Sequence, residues 1–105
     1  MTQSIMAVDR SKQEVVSKLC GLAKRYPYVK RMIVFGSAAS NTCSEESDID
    51  ICFDISCDPQ NIEIFNLNKE ANRICDYNCD ILFYNLLGTR LKSEIDAKGV
   101  VVYES

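Results

Sequence analysis

Hydrophobic and polar positions alternate between two periods along this chain. From Ser11 to about Arg25, Val15, Val16, Leu19, Leu22 and Ala23 recur at helical spacing with charges between them. Tyr26-Pro27 ends that pattern, so an amphipathic helix is expected there. Tyr28 to Phe35 is rich in β-branched and aromatic residues and stops at Gly36, which predicts a strand. After the polar segment SAASNTCSEES the period becomes two. From Asp48 to Ile55, Ile49, Ile51, Phe53 and Ile55 share one face, and Asp48, Asp50, Cys52 and Asp54 share the other, pointing away from the core.

The second half repeats the alternation. Asp58-Pro59 offers an N-cap with proline at the first helical position, and Ile62, Phe65, Leu67 and Ala71 carry the helix to about Ile74. CDILFY at 79–84 predicts a third strand. Residues 86–98 predict a third helix closed by Gly99 at a C′ position, and VVVYES a short last strand. The order is α-β-β-α-β-α-β, without repeats, low-complexity tracts or linkers, so helices are expected to pack against one sheet. At 105 residues, the chain fits a single domain over 1–105.

Composition narrows the function classes. An apolar share of 47% and a charged share of 26% suit a chain that can bury a small core. A net charge of −3 argues against gripping DNA or RNA through a broad basic face. No apolar run approaches the roughly 20 residues of a membrane span, and the N-terminus lacks a signal-peptide hydrophobic region, so a cytoplasmic setting is expected. Six cysteines, at 20, 43, 52, 57, 75 and 79, include no CxxC, and there is no histidine. Reduced thiols are expected, several of them core residues, with Cys75 and Cys79 the only pair at helix-like spacing.

The chemistry concentrates between Gly36 and Asp50. Side chains two apart on a strand share a face about 6.6 Å apart, so Asp48 and Asp50 can converge on one small site. Mg²⁺ resolves their repulsion, since it is held by one or two carboxylates plus substrate phosphates and water. A third carboxylate serves a pair of ions about 3.5–4 Å apart, and Asp80, opening the third predicted strand, can supply it; Asp54 and Asp76 are less well placed. Gly36 allows close backbone approach, and Ser37 with a following helical turn offers amides and a hydroxyl to a polyphosphate. Taken singly, each is ordinary structure: a strand-ending turn with an N-cap serine, or the solvated face of an edge strand. Their combination points to a metal-dependent nucleotide site.

GS-x(10)-DID after an apolar strand, with a later strand aspartate in CDILFY and the closing LKSEIDAKGVVVYES, resembles the minimal nucleotidyltransferase (MNT) family of the DNA polymerase β superfamily. The likeness covers about residues 12–104. It implies an α+β fold, a small mixed sheet of about four strands with three helices packed against it. It also implies that Gly36 and Ser37 hold a triphosphate, that Asp48 and Asp50 ligate Mg²⁺, two ions with Asp80 as third ligand, and that Asp80 assists an acceptor hydroxyl. ATP is the implied substrate. The implied partner is an all-helical HEPN-type toxin, AMP being added to its tyrosine by the antitoxin of a toxin–antitoxin module.

One departure bears on activity. Many relatives follow Gly-Ser with arginine and then glycine, as in GSRARG, where this chain has Ala38, Ala39, Ser40 and Asn41. Lys30, Arg31, Arg90 and Lys92 are the substitutes the sequence offers. Two alternatives follow: an antitoxin of this fold that is weakly active or inactive and works by binding, and a small-molecule transferase of the aminoglycoside type. The second requires a homodimer, because one chain has no room for a further helical domain.

Overall fold

The computed structural model describes residues 12–36, 49–56, 62–76 and 79–105. The elements are α1 (Gln13–Lys24), β1 (Val29–Phe35), β2 (Ile49–Ile55), α2 (Ile62–Ile74), β3 (Cys79–Phe83), α3 (Thr89–Lys98) and β4 (Val100–Glu104), with a 3-10 turn at Tyr84–Leu86. Most boundaries fall within two residues of those expected from periodicity. The polar segment after Gly36, with Ser37 and Asp48, and the Asp58-Pro59 helix start lie outside the described residues.

The four strands form one sheet in the order β3-β2-β1-β4. β1 pairs antiparallel with both β2 and β4, whereas β2 and β3 run parallel. A parallel pair needs a crossover longer than a hairpin, and α2 supplies it. The result is the expected α+β fold: a mixed four-stranded sheet with three helices against it.

Both faces of the sheet are covered, unequally. Ile49, Ile51, Phe53 and Ile55 of β2 point to one face with Val29, Met32 and Val34 of β1. There they meet Val16, Leu19, Leu22 and Ala23 of α1 and Ile64, Leu67 and Ala71 of α2 in the main core. At about 25 cal/mol per Å² of apolar surface removed from water, this layer dominates folding. The opposite face carries a smaller cluster of Ile33, Cys52 and Ile95, flanked by Phe35, Leu91 and Val101, where α3 lies across the middle of the sheet. The face of the β2 aspartates is therefore not simply turned away from the core. Cys52, between Asp50 and Asp54, is fully buried beneath α3.

Three local expectations are corrected. Helix α3 begins at Thr89, not near residue 86, because Tyr84–Leu86 close a 3-10 turn and Gly88 is an extended N-cap whose carbonyl accepts from the Lys92 amide. Gly99 is not a left-handed C′ residue: its φ is −71°. Glycine is required there by space, since a Cβ would stand 2.5 Å from Ile33 Cγ2 and 2.6 Å from the Ile95 carbonyl oxygen. The cysteines are not all free thiols either. Cys75 and Cys79 form a disulfide across the α2–β3 connection, with Cα atoms 6.1 Å apart. Asp76, at φ 53°, turns the chain sharply enough after α2 to bring the two within the usual span of such a bond. Cys20 and Cys52 are free, and Cys43 and Cys57 lie outside the described residues.

Candidate functional site

On the α3 side, the strand register arranges side chains in three rows across the sheet. Asp80, Asp50 and Phe35 are successive partners on β3, β2 and β1 and form the first row. Leu82, Cys52, Ile33 and Val101 form the second, the apolar row beneath Ile95 of α3. Asp54 and Arg31 form the third. Partnered residues of a parallel pair point to the same face, and neighbouring strands lie about 4.8 Å apart, so Asp50 and Asp80 stand side by side. Asp50 is half-buried and Asp80 exposed, and the row they form lies at one end of the sheet.

Gly36 closes that row. It follows Phe35 with φ 71°, in the left-handed region, and a Cβ built on it would overlap the Asp50 carboxylate. Glycine is thus demanded twice, by backbone conformation and by the acid packed against it. The motif Gly36…Asp50 is a direct contact between a turn and a carboxylate.

The third row neutralises itself. Arg31 donates through Nε and Nη2 to Asp54 Oδ2, at 3.0 and 2.9 Å. Burial lowers the Arg31 pKa, but the hydrogen bond and charge of Asp54 outweigh it, so the guanidinium is held above its ordinary value. Its cation lies over the Tyr84 ring, 5.2 Å from the centroid, as does the ammonium of Lys92. The Tyr84 hydroxyl donates to Asp96 Oδ2 at 2.8 Å, and chiefly that bond raises the phenol pKa. Asp54 is thereby accounted for as the partner of Arg31.

These contacts bear on the cations weighed as substitutes for the missing arginine. Lys30 and Arg31 begin β1 beside Asp54, Glu104 and Ser105, at the end of the sheet opposite Gly36. Phe35 lies four strand steps beyond Arg31, about 13 Å. Lys92 is held over Tyr84 at that same far end, and Arg90 is exposed on the first turn of α3.

Between the end of β1 and α3 lies a cavity of about 190 Å³, lined by Phe35, Gly36, Leu91, Glu94, Ile95 and Lys98. None of its α3 residues was singled out from the sequence as functional. The available signal was that Leu91, Ile95 and Lys98 recur at i, i+4 and i+7 and so share one helix face.

The first row presents two carboxylates from neighbouring strands, oxygen donors of the kind hard cations such as Mg²⁺ take in preference to soft metals. Among the described residues no three His, Cys, Asp or Glu side chains form such a group. Asp48 lies outside them, two residues before Asp50 on the strand pattern that carries it.

A family model described as polymerase β, nucleotidyltransferase, matches residues 17–105. A candidate protein adenylyltransferase of Methanocaldococcus jannaschii is 34% identical over 74 residues, 70% of this chain and 80% of that protein. Among solved structures, a toxin–antitoxin with AMP-PNP aligns with a TM-score of 0.68 at 23% identity, covering 88% of this chain and 73% of that one. The complex of a tri-AMPylated Shewanella oneidensis HEPN toxin with an MNT antitoxin aligns at 0.67 and 21%, over 90% and 73%. At such identities the structural likeness establishes a shared fold.

Proposed function

We propose a function from one premise, that this chain belongs to the polymerase β-type nucleotidyltransferase family: it transfers AMP from ATP to a hydroxyl of a protein partner. The observation that carries the proposal is the row Asp80–Asp50 with Gly36 packed against the Asp50 carboxylate. Gly36 and Ser37 cradle the triphosphate, and Asp48, Asp50 and Asp80 hold Mg²⁺, whose charge offsets that of the phosphates. The acceptor oxygen attacks the α-phosphorus, Asp80 takes the hydroxyl proton, and the bond to the bridging oxygen breaks to release pyrophosphate. With no histidine in the chain, a carboxylate is the base available.

The acceptor proposed is a tyrosine of a helical HEPN-type toxin, which makes this chain the antitoxin of a two-component module. Support comes from the solved complexes of the same fold, which contain a toxin and in one case an AMPylated one. Incubation with α-labelled ATP, Mg²⁺ and a helical HEPN-type toxin tests it directly. Label on a partner tyrosine is expected, and no transfer despite nucleotide binding would overturn the enzymatic reading.

Ala38, where relatives carry arginine, favours a second reading: neutralisation of the partner by binding alone. Replacement of Asp48 and Asp50 by asparagine separates the two. Full neutralisation by that variant supports binding alone, and lost neutralisation with an intact complex supports transfer.

A further inference from the structure

We propose that Lys98, at the end of α3, supplies the positive charge that holds the nucleotide's phosphates beside Gly36. This rests on the reading of Gly36, Asp50 and Asp80 as a nucleotide site. A nucleoside triphosphate brings several negative charges to an edge that already carries Asp50 and Asp80. Divalent ions offset part of that charge, and a protein cation is needed for the remainder. The cations at the other end of the sheet are committed: Arg31 to Asp54 and Tyr84, and Lys92 to the Tyr84 ring. Arg90 precedes Lys98 by eight residues of helix, about 12 Å along the axis.

Lys98 lines the same cavity as Gly36, and Gly36 is packed against the Asp50 carboxylate. Its side chain is exposed, and no ion pair to it is formed among the described residues. A lysine in the last turn also complements the helix dipole, and that alone would explain a basic residue here. It does not explain why that residue lines the cavity that Gly36 also lines. Glu94, four residues earlier on the same helix, also lines the cavity, and a phosphate is repelled by its carboxylate and drawn to Lys98. Phe35, Leu91 and Ile95, which complete the described lining, favour an uncharged part of the ligand. Lys98 is therefore a positioning residue for the phosphates, doing from α3 what the absent arginine would do from the loop after Gly36.

The test is calorimetric binding of ATP, of inorganic tripolyphosphate and of adenosine, each with Mg²⁺, to the whole chain and to Lys98→Ala, Lys98→Arg and Lys30→Ala. Lys98→Ala is expected to weaken ATP and tripolyphosphate by about tenfold, the loss of one charge-assisted contact, and to leave adenosine unchanged. Lys98→Arg should restore binding to within about twofold, and Lys30→Ala should bind as the parent does. Parent-like affinity for both phosphate ligands in Lys98→Ala overturns the assignment while leaving the nucleotide site standing. Failure of the unaltered chain to bind ATP or tripolyphosphate removes the site itself, and Lys98 with it.

Discussion

Asp50 of β2 and Asp80 of β3 are direct partners in the parallel pair of strands, and their carboxylates share one face of the sheet. Like charges placed so oppose folding by a few tenths to about 1 kcal/mol. Divalent ions reverse the sign, because a ligand that binds only the native state adds RT ln(1 + [L]/Kd) to its stability. The melting temperature of the unaltered chain is therefore expected to rise with Mg²⁺. Asp50→Asn/Asp80→Asn should gain little from the ion. Scanning calorimetry with and without Mg²⁺ decides, and an identical Mg²⁺ response in both proteins contradicts the proposed ion site.

Gly36→Ala meets two obstacles. A residue with a Cβ pays about 1–2 kcal/mol to occupy the left-handed region, and here that Cβ also displaces the Asp50 carboxylate. The expected outcome is an unfolding free energy, from urea titration, lowered by at least that amount, together with loss of nucleotide transfer in the protein that remains folded. Unchanged stability would mean that the turn relaxes away from Asp50 at no cost.

Much of this was legible in the chain before any coordinates, because the main core is periodic. Ile49, Ile51, Phe53 and Ile55 alternate cleanly, and α1 carries its apolar stripe at helical spacing, so both declare which face is buried. What stayed hidden depends on pairing between distant segments. Nothing local distinguishes Asp54, which Arg31 satisfies from 23 residues away, from Asp50, which Gly36 abuts. The second apolar cluster was equally hidden. Cys52 alternates with aspartates, and only the crossing of α3 over Ile33 buries it. The disulfide required knowing that Asp76 turns the chain back.

The Arg31–Asp54 pair makes a prediction opposite to that for the acidic row. Both side chains are largely shielded, with relative exposures of 27% and 16%, so removing one partner leaves a poorly solvated charge behind. Asp54→Ala is expected to cost about 1–3 kcal/mol, and a double-mutant cycle with Arg31→Ala should recover part of that loss as coupling. Because the pair lies at the far end of the sheet, ATP affinity at equal folded concentration should not change. Additive losses in the cycle would show that the two residues act independently.

Cys52 gives a pH dependence of definite sign. Burial first, and then the negative charge of Asp54, push its thiol up to about 12, although Arg31 opposes them. An unfolded thiol ionises near about 8.5. Below that pH both states hold the proton, and the contribution is fully present. Above it the unfolded chain releases the proton while the folded one keeps it, so stability falls as pH rises toward the folded value. For one proton the slope approaches roughly 1.4 kcal/mol per pH unit. Cys20, pushed up to about 11 chiefly by burial against the pull of Lys24, acts in the same direction. Urea midpoints measured from neutral pH into mild alkali should therefore decline less steeply in Cys52→Ala than in the parent, even though the variant starts lower for its small cavity. Native protein treated with iodoacetamide at mildly alkaline pH should leave Cys52 unmodified until it unfolds, and parallel declines in the two proteins would place the alkaline loss elsewhere.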